Sequence, residues 1–380
     1  MTRTPAIRDA LGASTAEMGL LLFGISIGSM SGILSSAPLV RRFGTKTVIR
    51  NGLGLLTLGM VVLAFGTGSE FAPLVLAGFM MFGAGIGSAE VAINLEGAEV
   101  EQLTQAPVLV ELHGFFSAGT LLGALLGIGL TTMDIAVMPS LLGVVVISIP
   151  ALIWALRGIE PGMGKTGEGS ADVQATERED AVRGDPEEKP VWKDPRLWMI
   201  AVILLSFALA EGSATDWLAL LMVDGFDLPE SSGALVFAGF AATMTIGRFG
   251  GRALLMKFGR VAVLRGGAIL AMVGVSAVIF ADSPVLAGIS VTLWGFGVSL
   301  GFPVAIAAAS DSGPDSVARV SLVATAGYVA FLVGPPLLGF LGEHFGLRSA
   351  MIVVLAVLTV AAVLASATGP RAADAAESSG

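Results

Sequence analysis

Long apolar windows, each close to the length of a membrane span, alternate along the chain with short polar turns. A helix crossing the ~30 Å hydrocarbon core needs about 20 mainly apolar residues. Windows of that kind fall at 18–40, 47–67, 73–95, 107–130 and 135–156. After a polar break, six more follow at 197–222, 232–255, 261–281, 284–308, 319–341 and 349–367. In lipid each backbone N–H and C=O must be satisfied within the segment, so the windows predict helices. The expected fold is an all-α membrane protein with five helices before the break and six after it, eleven in all.

Composition narrows the function. Hydrophobic residues make up 54% and charged residues only 13% of the chain, with mean hydropathy +0.85. Soluble domains carry about 25% charged residues, so a soluble enzyme is excluded. The net charge of −9, with no basic stripe, excludes nucleic-acid binding. There is no cysteine, and His113 and His344 are the two histidines. Neither a nucleophile–base pair nor a metal cluster is recognisable, so no enzymatic activity, cofactor or metal is expected. What remains is a polytopic membrane protein in the lipid bilayer.

The basic residues set the orientation. With the 40–47 turn placed in the cytoplasm, all but Arg3, Arg8 and Arg348 of the 21 basic residues fall on the cytoplasmic side. By the positive-inside rule the N-terminus is outside and the C-terminus inside; a bacterial cytoplasmic (inner) membrane is the expected location. Residues 1–17 are then an extracytoplasmic segment, neither signal peptide nor span. The expected organisation is an N-terminal bundle over 18–156, a cytoplasmic linker over 157–196, a C-terminal bundle over 197–367 and a cytoplasmic tail over 368–380. The linker holds ten acidic and seven basic residues and almost nothing apolar before Trp192, which predicts flexibility. Its Gly162-Met163-Gly164-Lys165-Thr166 is not a phosphate loop, because Ile159 stands where that motif needs glycine and no strand precedes it.

An internal repeat relates the two bundles. Arg42-Phe43-Gly44 is followed by Val48, Ile49, Arg50 and Gly52; Lys257-Phe258-Gly259 is followed by Val263, Leu264, Arg265 and Gly267. The offset is 215 throughout, and both copies lie on a short turn between spans. Transporters built from parallel repeats show this pattern. Carried back by the same offset, the span 197–222 has its counterpart before Met1, so the first of twelve helices is expected to be missing from the recorded chain.

At these turns the chain resembles the major facilitator superfamily, whose signature turn reads Gly-x-x-x-Asp-Arg-x-Gly-Arg-Arg. Arg42, Gly44 and Lys46 fit that pattern; Ala37, Arg41 and Thr45 depart from it. The second copy offers Gly247, Arg248, Gly251, Gly259 and Arg260, with Arg252 where an acid belongs. The resemblance implies a two-bundle fold and cytoplasmic gating turns built on Arg41, Arg42, Gly44, Lys46, Gly247, Arg248, Gly259 and Arg260. A small-molecule solute, a coupling proton or sodium ion and a monomeric state are expectations that rest on this resemblance and not on composition. Glu90-Val91-Ala92-Ile93-Asn94 is similar to the Glu-x-x-x-Asn of fucose-permease-like sugar symporters. Leu112 to Gly119, Glu211-Gly212 with Asp216-Trp217, and Gly334-Pro335-Pro336 resemble an uncharacterised bacterial group near that branch.

An ionisable group inside a span costs about 2.5–3.5 kcal/mol on insertion scales, so it normally faces a cavity or a partner. Glu90 and Asn94, four residues apart, share one helical face, and a carboxyl that gains and loses its charge suits proton coupling. Glu211 and Asp216 are about 140° apart around one helix, so at most one points straight into a cavity; Glu211 is the deeper. Trp217 is expected as an interfacial anchor, with sugar stacking as the alternative. His113 is expected either as a proton relay or substrate donor, or as a packing group. Gly24, Gly28 and Gly32, and Gly119, Gly123 and Gly127, recur every four residues and predict close helix packing. In the resembled family these second and fifth helices form the seam between halves.

The leading expectation is a secondary transporter moving a small polar solute, a sugar among the candidates, by alternating access and proton-coupled symport through Glu90. Proton-driven efflux of amphipathic compounds is the rival within transport. A non-transporting membrane sensor or an inactive truncated transporter is the rival from another class.

Overall fold

A computed structural model describes residues 2–104, 108–160, 190–313 and 315–369. The linker lies mostly outside the described residues, as does most of the C-terminal tail. Helices account for nearly all of the remainder. They are α1 (Thr4–Leu11), α2 (Thr15–Phe43), α3 (Thr45–Gly68), α4 (Ala72–Thr104), α5 (Val108–Thr132) and α6 (Val137–Arg157). Beyond the linker come α7 (Pro195–Phe226), α8 (Glu230–Phe280), α9 (Pro284–Val298), α10 (Gly301–Ser310), α11 (Ser316–Phe345), α12 (Leu347–Ala350) and α13 (Ile352–Leu364). Among the described residues, 10 helical segments are long and apolar enough to cross a membrane.

The longest, α8, has 51 residues. A straight helix of that length would run about 76 Å at 1.5 Å per residue, far beyond the ~30 Å hydrocarbon core. It is two spans joined at Gly259, whose φ of 74° and ψ of 167° are not helical. Counting both parts gives the eleven spans that the hydropathy pattern predicts. The fold is all-α.

The segment before the first span is not featureless. Pro5 starts α1 and Gly12, at φ 58°, ends it with its N–H on Arg8 O and Asp9 O, a left-handed cap that glycine adopts without steric cost. Arg3 donates to Thr131 Oγ1 at 2.8 Å and to Ile135 O at 2.5 Å, and Arg8 pairs with Asp9 and Asp224.

Contacts divide the chain into two compact units. The larger comprises Met1–Leu20, Gly114–Ile135 and Val191–Gly380; the smaller comprises Leu21–His113 and Ala136–Pro190. This grouping follows packing rather than chain order, since most of α5 and the start of α2 pack with the later helices. In the smaller unit, α2 and α4 interlock through glycine. A Cβ on Gly28 would stand 2.1 Å from Met80 O, and one on Gly32 2.3 Å from Ala84 O. From the other side, a Cβ on Gly83 would meet Ile25 O at 2.1 Å and one on Gly87 would meet Ser29 O at 2.4 Å. Close backbone approach of this kind replaces the hydrophobic drive that lipid cannot supply between helices. Gly24 continues the stripe toward Leu76.

The second stripe behaves differently. Among the described residues nothing lies within 4 Å of a Cβ built on Gly119 or Gly123, and Gly127 lies against the side chain of Thr2. Regular spacing therefore does not lead to helix packing at Gly119 and Gly123. In the larger unit, the start of α2 packs on α11, where a Cβ on Gly19 would stand 2.9 Å from Pro335 O.

Candidate functional site

In the smaller unit, α4 carries Glu90 and Asn94 on adjacent turns. Glu90 is exposed and Asn94 half-buried. Among the described residues neither side chain has a hydrogen bond or ion pair. Glu90 follows Gly85, Gly87 and Ser88, the small residues that bring α4 close to its neighbours. The helix is held tightly while its carboxyl is left open.

Farther along α4, Glu96 accepts a hydrogen bond from Thr45 Oγ1. Thr45 opens α3 directly after Gly44, whose φ of 83° and ψ of 159° make the turn. Lys46 donates to Ile159 O at 2.6 Å, fastening the same turn to the end of α6. Arg42 lies 5.2 Å from the centre of the Phe43 ring. Arg41 precedes it at the end of α2.

The larger unit repeats this arrangement. Gly259 breaks α8 with nearly the same backbone angles, Lys257 lies 5.2 Å from the Phe258 ring centre, and Arg260 pairs with Asp311 at 2.6 Å. Thr45 to Arg260 and Glu96 to Asp311 are each 215 positions apart. A third Phe-Gly turn occurs at Phe345-Gly346, with φ 80° and ψ 147°. Three spans separate it from Gly259, so it lies at the opposite end of the bundle. That is the geometry of inverted three-helix repeats nested within one half. The Phe-Gly dipeptide and the following Arg348 were the signal for this copy in the sequence.

Arg248 and Gly247 do not belong to the Gly259 turn. Arg248 lies eleven residues before Gly259 in α8, about 16 Å along the axis. Its Nη2 donates to Glu211 Oε1 at 2.8 Å, and its Nη1 donates to Ser117 Oγ at 3.0 Å. Three helices, α5, α7 and α8, thus converge on one guanidinium. Thr245, one turn before it, donates to Ala241 O and lies 3.5 Å from Ser117 O. The side chains of Arg248 and Glu211 keep 22% and 19% of their surface accessible, so this mid-helix pair is open on one side. Gly247 is where α8 meets Ser299, since a Cβ there would stand 2.2 Å from Ser299 Oγ. Spacing against the signature turn placed Arg248 at a gate; the helix continuing through it carries its side chain to Glu211.

Asp216 lies five residues beyond Glu211, half-buried, and its carboxyl has no hydrogen bond or ion pair among the described residues. Trp217 is fully buried, its Nε1 has no hydrogen-bond partner among the described residues, and its ring lies beside the Gly19–Gly339 crossing. Its ring is covered by protein, so it is not open for stacking. Placing it at a membrane surface from its distance along the helix overlooked the packing of α2 and α11 against α7. His113 lies in α5, and its side chain is outside the described residues.

The family model of the Major Facilitator Superfamily matches residues 2–321 and 235–379. The chain belongs to that superfamily. An uncharacterized MFS-type transporter of Yersinia pestis is 30% identical over 368 residues, covering 94% of this chain and 88% of its own. Membrane protein MosC of Rhizobium meliloti is 24% identical, covering 95% and 84%. Among solved structures, the Escherichia coli fucose:proton symporter FucP aligns with TM-score 0.60 at 16% identity, over 97% of this chain and 96% of that one. The D-xylose-proton symporter aligns at TM-score 0.74 and 12% identity, over 97% and 93%. At such identities the solved structures establish the fold alone. As a member of the superfamily, this chain is a multi-pass membrane transporter and not an enzyme.

Proposed function

We propose that the protein is a proton-coupled symporter of a small polar solute in the bacterial cytoplasmic membrane. In this reading the bundles 18–156 and 197–367, joined by the 157–196 linker, work by alternating access, and Glu90 is the coupling carboxylate. The observation that carries it is Glu90 itself, a carboxyl within a span that has no cationic or hydrogen-bonding partner among the described residues. An unpaired carboxylate at span depth is costly wherever it is not solvated by water, and taking up a proton removes that cost. Glu211 is less suited to the role because Arg248 already neutralises it. Two solved structures that share the fold are proton symporters, of fucose and of D-xylose, which favours symport over efflux.

The test uses protein reconstituted in vesicles with an imposed pH gradient. Uphill solute uptake is expected in the wild type. Glu90→Gln should abolish accumulation while leaving solute exchange at equal pH in place. Accumulation at the wild-type level in that variant would remove Glu90 from the coupling role.

A further inference from the structure

We infer that the Glu211–Arg248 pair, with Ser117, is a binding subsite for a neutral solute bearing adjacent hydroxyl groups. The inference rests on the transport reading above and names the class of solute that such a carrier takes.

Three observations support it. First, the site is built from three helices: Arg248 of α8 donates to Glu211 of α7 and to Ser117 of α5. Second, the pair has capacity to spare. Among the described residues Glu211 Oε2 accepts no hydrogen bond and Arg248 Nε donates none. A carboxylate offers about four acceptor sites and a guanidinium five donors. Third, both side chains are about a fifth accessible although they stand midway along α7 and well inside α8. Neither side chain is sealed off by packing.

An acceptor and a donor side by side match two neighbouring hydroxyls, one giving its proton to Glu211 and the other accepting from Arg248. The pair is neutral as a whole, so a neutral solute binds without leaving an unpaired charge inside the span. An anionic solute would have to pull Arg248 away from Glu211 and strand the carboxylate, which is the expensive outcome for a buried pair. Sugars, linear polyols and the ribose of nucleosides all present this chemistry. Carboxylated solutes do not need it.

The full chain in lipid nanodiscs is tested by equilibrium binding and thermal stabilisation. The probes are D-xylose, L-fucose, xylitol, uridine, 2′-deoxyuridine and D-glucuronate. At least one neutral diol is expected to bind, and which one separates sugar, polyol and nucleoside as its source. Its deoxy counterpart, or the uronic acid of a bound sugar, should bind about tenfold or more weakly, the equivalent of one charge-assisted hydrogen bond. Glu211→Gln and Arg248→Lys should each weaken binding by a similar factor. Tighter binding of D-glucuronate than of every neutral probe would overturn the inference, as would a panel with no neutral binder. Because wild-type selectivity decides the matter, a variant that fails to fold leaves the test intact. Diol binding by a wild-type protein that shows no proton-driven accumulation would count against the Glu90 reading alone.

Discussion

Arg260 pairs with Asp311 at 2.6 Å, in the same relation that joins Thr45 to Glu96 215 residues earlier. In each half the residue just after the glycine of the turn reaches an acidic residue at or near the end of the helix two spans on. One version is an ion pair and the other a hydrogen bond from a hydroxyl. The contact has outlasted the change in its chemistry, which is a stronger sign of a duplicated design than matching side chains.

The two acids are expected to tune the transport cycle rather than stability. Arg260 and Asp311 are 39% and 60% accessible, and exposed pairs are worth about 0–1 kcal/mol. Asp311→Asn should therefore leave the thermal midpoint unchanged. Solute uptake should fall about fivefold, the effect of shifting a two-state equilibrium by ~1 kcal/mol. The double exchange Arg260→Asp with Asp311→Arg should restore uptake. Wild-type uptake in Asp311→Asn would show that the contact has no part in the cycle.

The glycine stripes separate by their surroundings. Gly28→Val places a Cβ 2.1 Å from Met80 O, and overpacking typically costs about 1–3 kcal/mol. A lower unfolding midpoint is expected in detergent. Gly119→Ala and Gly123→Ala enter open space and should change stability by no more than about 0.5 kcal/mol. Equal effects from both stripes would contradict the packing described for α2 and α4.

Asp194 sets a pH limit on the end of the linker. It caps α7 through the Arg196 N–H and accepts from Arg319 Nη1 at 2.8 Å, with Arg319 also donating to Ser312. Burial alone would raise the Asp194 carboxyl, but the hydrogen bonds from Arg319 and the backbone outweigh it and hold it below its ordinary value. A depressed carboxyl contributes stability that is complete above its unfolded pKa of about 3.9 and is lost as pH falls through the lower folded value. Unfolding midpoints should be insensitive to this group at pH 5–7 and drop in stronger acid. Asp194→Asn should lose about 1–3 kcal/mol at neutral pH and show less of that acid-dependent fall. An unchanged acid limb in the variant would assign the pH dependence elsewhere.

Much of the fold is legible in the residue order because the bilayer imposes a length. A run of about 20 apolar residues can do little else in lipid than form a helix, so the windows from 18–40 to 349–367 reappear as spans. Gly44 and Gly259 are legible for a similarly local reason. Each must turn the chain at positive φ within a short turn, and glycine does so at least cost.

Partnership across helices is not local, and there the sequence is silent. Glu90 and Glu211 are both acids inside apolar windows. Only the packing of α5, α7 and α8 shows that Glu211 is neutralised by Arg248, while Glu90 on α4 has no such partner among the described residues. Arg248 looked like part of a turn because the spacing of the motif was read without the helix that carries it past. Trp217 looked interfacial because depth along its own helix says nothing about which helix covers it. The two glycine stripes have one spacing and two fates, decided by whether another backbone comes within reach. Periodicity and apolar length determine where this chain crosses the membrane. Which buried charge is paired depends on atoms far apart in sequence, and only tertiary structure brings those together.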